Sequence, residues 1–257
     1  MLVLAQTAEM IGTITLNQPV KRNALSGALV EELLAALAEF QKLGLRAVVI
    51  RAAPDVKVWS AGHDVNELPE GQDPLQYSDP VERLLRAVFS FPAPVLAMVH
   101  GSVWGAATDL VLSCDLLLGD ETSSFAITPA NLGLAYNTAG LLHFLRRLPL
   151  NTVKEMFFTA APVKAQDAAR LGLLNHLVPA ADLERFTYDL ARLMTTKAPL
   201  VLSAVKEQLR LLAQTAPLEP ETVERVQELR QHVYQSEDYR EGIRAFHEKR
   251  KPVFTGK

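Results

Sequence analysis

Three short apolar runs set the terms for this chain: Ala47-Val48-Val49-Ile50, Val95-Leu96-Ala97-Met98-Val99 and Leu116-Leu117-Leu118. None alternates with polar residues, so each reads as a strand covered on both faces. Helical patterns lie between them. Ser26 can cap a helix carrying Leu29, Leu33, Leu34, Leu37 and Phe40 at helical spacing. Val81, Leu84, Leu85, Val88 and Phe89 make a second over 79–91, stopped by Pro92 and Pro94. A third is predicted over 106–113. Buried strands alternating with helices imply right-handed crossovers and a mainly parallel sheet.

The ends of the chain differ from its middle. Met10, Gly12, Ile14 and Leu16 alternate, as in a half-buried strand forming the second arm of a hairpin that turns near residues 7–9. From residue 139 helices follow one another, including 181–197, 200–213 and 219–234, with 175–178 a candidate strand between them. The chain therefore divides into an α/β core over 1–200 and a helical region over 201–257. Residues 59–77 contain Gly62, Pro69, Gly71 and Pro74, lack a sustained period, and read as a long, mobile loop.

Composition narrows the function classes. With 257 residues, 49% of them hydrophobic, the chain can fill a core without disulfides or metal. A net charge of −3 offers no basic field for nucleic acid. The lone Cys114 reads as a small core residue and points to a reducing, cytoplasmic setting. The first residues lack the pattern of a secretion signal, and no apolar run approaches the roughly 20 residues of a membrane span.

Several chemistries have no motif here. There is no GxxxxGKS/T, no GxGxxG after a strand, no HExxH or cysteine pair, and no GxSxG. What remains is chemistry done by backbone dipoles and a few polar side chains. Two glycine turns stand out, Ser60-Ala61-Gly62-His63-Asp64-Val65 and Gly101-Ser102-Val103-Trp104-Gly105-Ala106, the second leading from a strand into a helix. N–H groups at a helix start have no intrahelical partner. Two of them from separate loops can hold an oxygen that gains negative charge, each contributing roughly 3–4 kcal/mol in a transition state. Such turns are also ordinary connections, and spacing alone leaves both readings open.

Those two loops are joined by further segments: Asn17-Gln18-Pro19-Val20-Lys21-Arg22-Asn23-Ala24-Leu25, Thr128-Pro129-Ala130-Asn131-Leu132-Gly133-Leu134-Ala135-Tyr136-Asn137, Ser236-Glu237-Asp238-Tyr239, and a C-terminal Gly242 with Phe246-His247-Glu248-Lys249-Arg250-Lys251-Pro252. Together they resemble the crotonase (enoyl-CoA hydratase/isomerase) superfamily along essentially the whole chain. Within it the likeness is greatest to decarboxylases of methylmalonyl-type thioesters. The resemblance implies a spiral of ββα turns, a trimer or dimer of trimers, and an acyl-CoA substrate whose coenzyme A is part of the substrate, with no separate cofactor or metal.

The resemblance also implies residue roles. The oxyanion hole falls on the N–H groups of His63 and Ala106. Substrate contacts fall on Lys21, Arg22, Ala24, Ala61, Gly62, Asp64, Val65, Trp104 and Gly105, and on Phe246 and Lys249 of a terminal helix that often reaches a neighbour's CoA. The two glutamates of the family's hydratases fall on Asp109 and Ala130. Ala130 cannot ionise, so a hydratase acid–base pair is incomplete. Loss of CO2 from a malonyl-type thioester needs less, because it leaves an enolate whose oxygen two N–H groups can hold. Tyr136 matches the decarboxylase tyrosine and Thr128 is a second donor to the scissile carboxylate. Ala106 stands where the decarboxylases have glycine, and its methyl fits only if φ there is negative.

Each residue also has a plainer reading. Asp109 can simply favour a helix N-terminus, Tyr136 can be a core tyrosine, and Trp104 a packed aromatic shaping the acyl pocket. Lys21-Arg22 and Lys249-Arg250-Lys251 can be solvated charges as well as phosphate contacts. His63 is asked for its backbone only, and His100, His143 and His176 read as structural. At this level three functions stand: decarboxylation of methylmalonyl-CoA to propanoyl-CoA and CO2, a hydration or isomerisation using Asp109 alone, or acyl-CoA binding without turnover.

Overall fold

The computed structural model describes residues 1–69, 73–213 and 220–255. A hairpin opens the chain: β1 (Val3–Ala8) pairs antiparallel with β2 (Ile11–Leu16). It turns at Glu9 and Met10, both left-handed, so Met10 belongs to the turn and the buried positions of β2 begin at Ile11. Helix α1 (Gly27–Lys42) follows and buries Leu29, Leu33, Leu37 and Phe40. The Ser26 hydroxyl caps it, accepting from the Leu29 N–H at 3.4 Å. Ser26→Ala is expected to cost about 1 kcal/mol, measured as a lower urea midpoint at unchanged slope.

One unit then recurs: a strand in the first sheet, a short strand in the second, then a helix. It runs β3 (Ala47–Ala52), β4 (Val58–Ser60), α2 (Pro80–Phe89), then β5 (Val95–Val99), β6 (Ser102–Trp104), α3 (Ala106–Ser113), then β7 (Leu116–Gly119), β8 (Ser124–Ala126), α4 (Thr138–Leu145). The remaining elements are α5 (Leu150–Thr159), β9 (Val163–Lys164), α6 (Ala165–Arg170), β10 (His176–Leu177), α7 (Ala180–Thr195), α8 (Pro199–Leu212), α9 (Pro220–Tyr234) and α10 (Glu237–His247). The first sheet has the order β1-β2-β3-β5-β7-β10 and is parallel from β2 onward. The second has the order β4-β6-β8-β9, with only its last pair antiparallel. This is the expected α/β spiral of ββα turns with a helical C-terminal region.

The second sheet is where the sequence reading needs correction. The tight turn predicted over 101–105 contains β6, and the loop predicted over 59–77 contains the end of β4 and a 3-10 turn, Val65–Glu67. Strands β4, β6 and β8 have three residues each, too few for a period to show. Gly71 and Glu219 lie outside the described residues. Residue 200 falls inside α8, so a helix spans the boundary drawn there.

The core packs α1, α2 and α3 against the sheets. Trp59 of β4 is fully buried, and its indole N–H donates to the Met98 carbonyl at 2.9 Å, tying the second sheet to β5 of the first. Cys114 follows α3, buried, with its thiol pushed up to about 12 by that burial. Among the described residues no helix is long and apolar enough to cross a membrane.

Candidate active site

Two loops are laced together before any side chain enters the site. Arg22 and Asn23 both take left-handed backbone conformations, which asparagine tolerates better than most residues. Asn23 is fully buried, accepts from the Gln18 N–H through Oδ1 and donates to the Trp59 carbonyl through Nδ2. The Ser60 hydroxyl donates to the Asn23 carbonyl at 2.6 Å, the Ala61 N–H to Arg22, and the Leu25 N–H to Gly62 at 2.7 Å. The segment 18–25 thereby fixes the segment 60–64.

The second glycine turn meets the first main chain to main chain. A Cβ at Gly62, where φ is +84°, would lie 2.4 Å from the Trp104 carbonyl oxygen and 3.1 Å from the Ala106 nitrogen. Gly105 precedes α3 with φ +52° and ψ −128°, and Ala106 is the first residue of the helix. Ala106 is not among the positive-φ residues, so its methyl is accommodated. Among the described residues, neither the His63 N–H nor the Ala106 N–H donates a hydrogen bond. Two free amides from adjacent loops therefore stand side by side.

A cavity of about 490 Å³ opens on these loops. Lys21, Arg22, Ala24, Ala61, His63, Asp64, Val65, Trp104, Thr128 and Phe246 line it, as do Val20, Asn66, Asn131 and Leu132. Gly62, Gly105 and Ala106 are not in its wall, although Ala61, His63 and Trp104 beside them are. Lys249 is not in its wall; it sits just past α10 with φ +55°. Arg250 is engaged by Glu241 and Glu248. Lys21 lies 3.7 Å from Asp64, itself buried and turned toward the Asn66 N–H. The Thr128 hydroxyl makes no cap hydrogen bond to the turn it precedes and lies 3.5 Å from where a Gly105 Cβ would be.

Behind the amides lies a buried polar cluster. Asp109 follows Ala106 by three residues, close to one helical turn, and is fully buried. Its Oδ2 accepts from the Tyr136 hydroxyl at 2.9 Å, and its Oδ1 faces His143 Nδ1 at 2.7 Å. The Tyr136 proton expected to reach a substrate carboxylate is thus directed at Asp109 instead. Burial first, and then the Asp109 charge, hold the phenol well above its ordinary range, so it keeps its proton. Burial opposes a charge on His143, but the hydrogen bond and charge of Asp109 outweigh it and raise the ring above its ordinary value.

Glu82 of α2 stands beside this cluster. Burial pushes it up to about 7, against a 2.5 Å hydrogen bond from Asn137. The same Asn137 caps α4 through the Gly140 N–H. The His63 ring lies 3.4 Å from Asp79, which caps α2 and, against the cost of burial, holds that ring above its usual value.

His143 is the residue that sequence reasoning passed over. The sequence marks it only as structural, and the fold puts it in direct contact with Asp109. The signal available was position: Gly140 and His143 lie three apart on one helical face, following Tyr136. A Cβ at Gly140 would lie 2.2 Å from the Tyr136 ring and 2.8 Å from Asp109 Oδ2, so the glycine lets α4 close on α3.

Comparison with known proteins places the chain in a family. The family described as enoyl-CoA hydratase/isomerase matches residues 6–257. The chain belongs to this family. It is 43% identical to the methylmalonyl-CoA decarboxylase of Escherichia coli K12, over 97% of this chain and 96% of the relative. A solved structure of methylmalonyl-CoA decarboxylase in complex with 2-nitronate-propionyl-CoA superimposes with a TM-score of 0.98 at 42% identity, covering 100% of this chain and 99% of that one. A second, complexed with 2S-carboxypropyl CoA, gives the same TM-score, identity and coverage. Ala130, where the resemblance places the second hydratase glutamate, is exposed on the 3-10 turn Pro129–Leu132 and carries no ionisable group.

Proposed function

We propose that this protein decarboxylates a malonyl-type acyl-CoA thioester, converting methylmalonyl-CoA to propanoyl-CoA and CO2. The observation that carries the reading is the pair of unpaired amides of His63 and Ala106, held side by side by the glycine contact at residue 62. Breaking the Cα–carboxylate bond releases CO2 and leaves the electron pair in an enolate, whose oxygen the two N–H groups stabilise until a proton from water reaches Cα and completes propanoyl-CoA. The bond must stand perpendicular to the thioester plane, which a positioned donor secures. Thr128, which lines the cavity and makes no cap hydrogen bond, is the donor to the scissile carboxylate. Tyr136 holds Asp109 and forms the wall behind it.

Lys21, Arg22, Ala24, Ala61, Asp64, Val65 and Trp104 take up the CoA thioester, and Phe246 brings the C-terminal region to the same cavity. No cofactor beyond the CoA of the substrate is required. The chain works as a trimer or dimer of trimers in the cytoplasm, with residues 201–257 serving both the subunit contacts and the CoA site. Leu200, Val201, Leu209 and Leu212 of α8 are exposed and give another copy apolar area to cover. Hydration by Asp109 alone is disfavoured, because both of its carboxylate oxygens are engaged by Tyr136 and His143.

The test is incubation with methylmalonyl-CoA, malonyl-CoA and crotonyl-CoA, reading products by mass spectrometry. CO2 loss from a malonyl thioester with crotonyl-CoA untouched is the expected result. Hydrated crotonyl-CoA with both malonyl thioesters intact would overturn it. Binding of all three without turnover would identify an acyl-CoA binding protein.

A further inference from the structure

Asp109 poses an electrostatic problem for the proposed substrate. It is fully buried one turn below the Ala106 amide, and a substrate whose thioester oxygen sits at that amide brings a second carboxylate a few bonds away. Two carboxylates sharing such a site repel strongly unless a cation or a proton intervenes. No lysine or arginine contacts Asp109 among the described residues; its side-chain partners are Tyr136 and His143. Tyrosine supplies a hydrogen bond but no charge. Histidine can supply both, and the oxygen facing Nδ1 assigns a proton to that nitrogen.

We propose that His143 is a positioning residue for the reaction: its imidazolium neutralises Asp109, and thereby admits the substrate's own carboxylate beside Tyr136 and Thr128. This rests on the decarboxylation reading for the identity of the substrate. The charges around the ring come from three sides. Asp109 of α3 is in contact, Glu82 of α2 favours the charge as Asp109 does, and Arg146 on the ring's own segment opposes it. Across the groove between α4 and α8, Lys206 is paired with Asp115 and Arg210 with Glu207, while Arg147 donates to the Leu112 and Asp115 carbonyls. Those cations are committed elsewhere, which leaves His143 as the group that balances Asp109.

The sign of the pH dependence follows. The ring titrates above its ordinary value of 6.5, so it is charged below that raised value and loses its charge as pH climbs through it. Affinity for a carboxylate-bearing acyl-CoA falls over the same interval. Glu82, pushed up to about 7, ionises nearby and adds to the fall. A Glu82→Gln variant removes that contribution and leaves the part due to His143.

The experiment compares two probes by calorimetry, 2S-carboxypropyl-CoA, which carries the carboxylate, and propanoyl-CoA, which lacks it. His143→Gln is expected to weaken the first by about tenfold at pH 7, on the order of one pKa unit of lost charge interaction, and to leave the second within about twofold. Its affinity for the first probe loses most of the pH dependence seen in the Glu82→Gln protein. Adding Asp109→Asn to His143→Gln restores most of the lost affinity, since there is no longer a charge to balance; a purely structural role for His143 predicts a further loss. Equal weakening of both probes, an unchanged pH profile, or no rescue by the double variant overturns the proposal. Methylmalonyl-CoA turnover is assayed in parallel. Decarboxylation with unaltered probe selectivity refutes the role of His143 alone, whereas selectivity that shifts as expected without turnover refutes the reaction and supports the charge balance.

Discussion

Gly62→Ala lowers decarboxylation by about 10²–10³-fold, the effect of losing one oxyanion donor. The added methyl meets main chain in every direction that matters, with the Trp104 carbonyl oxygen at 2.4 Å and the Ala106 nitrogen at 3.1 Å. No flexible side chain can swing aside, so one loop must retreat from the other. Either loop carries one of the two amides, and their separation is what the enolate oxygen senses. The positive φ of +84° adds backbone strain of roughly 1–2 kcal/mol. Gly44→Ala supplies the comparison. It also has positive φ, at +65°, but nothing lies within 4 Å of its Cβ. It should lower the melting temperature while leaving kcat untouched, and equal turnover losses in the two variants would show that strain rather than amide geometry is responsible.

Tyr136→Phe is the second large effect. The ring packs edge-on against Phe144 and Phe157, at centroid distances of 6.3 and 5.3 Å, and phenylalanine preserves those contacts. Only the hydroxyl goes, and with it the hydrogen bond to Asp109 Oδ2. Hydrogen bonds to charged groups are worth about 1.5–3 kcal/mol, so turnover should fall roughly 10- to 150-fold. The freed oxygen of Asp109 is then buried without a hydrogen-bond donor, while His143 stays on the other oxygen. Steady-state rates should show the loss with a circular dichroism spectrum like that of the parent. Full activity in Tyr136→Phe would remove the phenol from the mechanism.

Much of this molecule is legible in its sequence, and the division is physical. Strands β3, β5 and β7 are covered on both faces, and their unbroken apolar runs announce them. Ser26 caps α1 as its residue type requires. The short strands of the second sheet leave no period, because they are held by pairing with distant segments rather than by their own composition. The site divides in the same way. The backbone donors at His63 and Ala106, each just after a glycine, follow from glycine turns and a family resemblance. The ring of His143 against Asp109 depends on how α4 crosses α3, a contact between residues 34 positions apart that no local pattern records. The direction of the Tyr136 proton, toward Asp109, likewise appears only once both partners have been brought together.

One contact at the C-terminal end reaches further than its size suggests. A Cβ on Gly242 would lie 2.2 Å from the Leu132 carbonyl oxygen, and one on Gly133 would lie 2.7 Å from the Asp238 carbonyl oxygen. Helix α10 therefore rests on the 3-10 turn Pro129–Leu132 with main chain touching main chain and no side chain between them as padding. A joint of that kind has no slack. Any tilt of α10 passes directly into Asn131 and Leu132, and at the same time moves Phe246, so these lining residues shift as one rigid piece. The width available to an acyl-CoA is thus set partly by how α10 is seated, which makes that helix a good place to look for changes in substrate size.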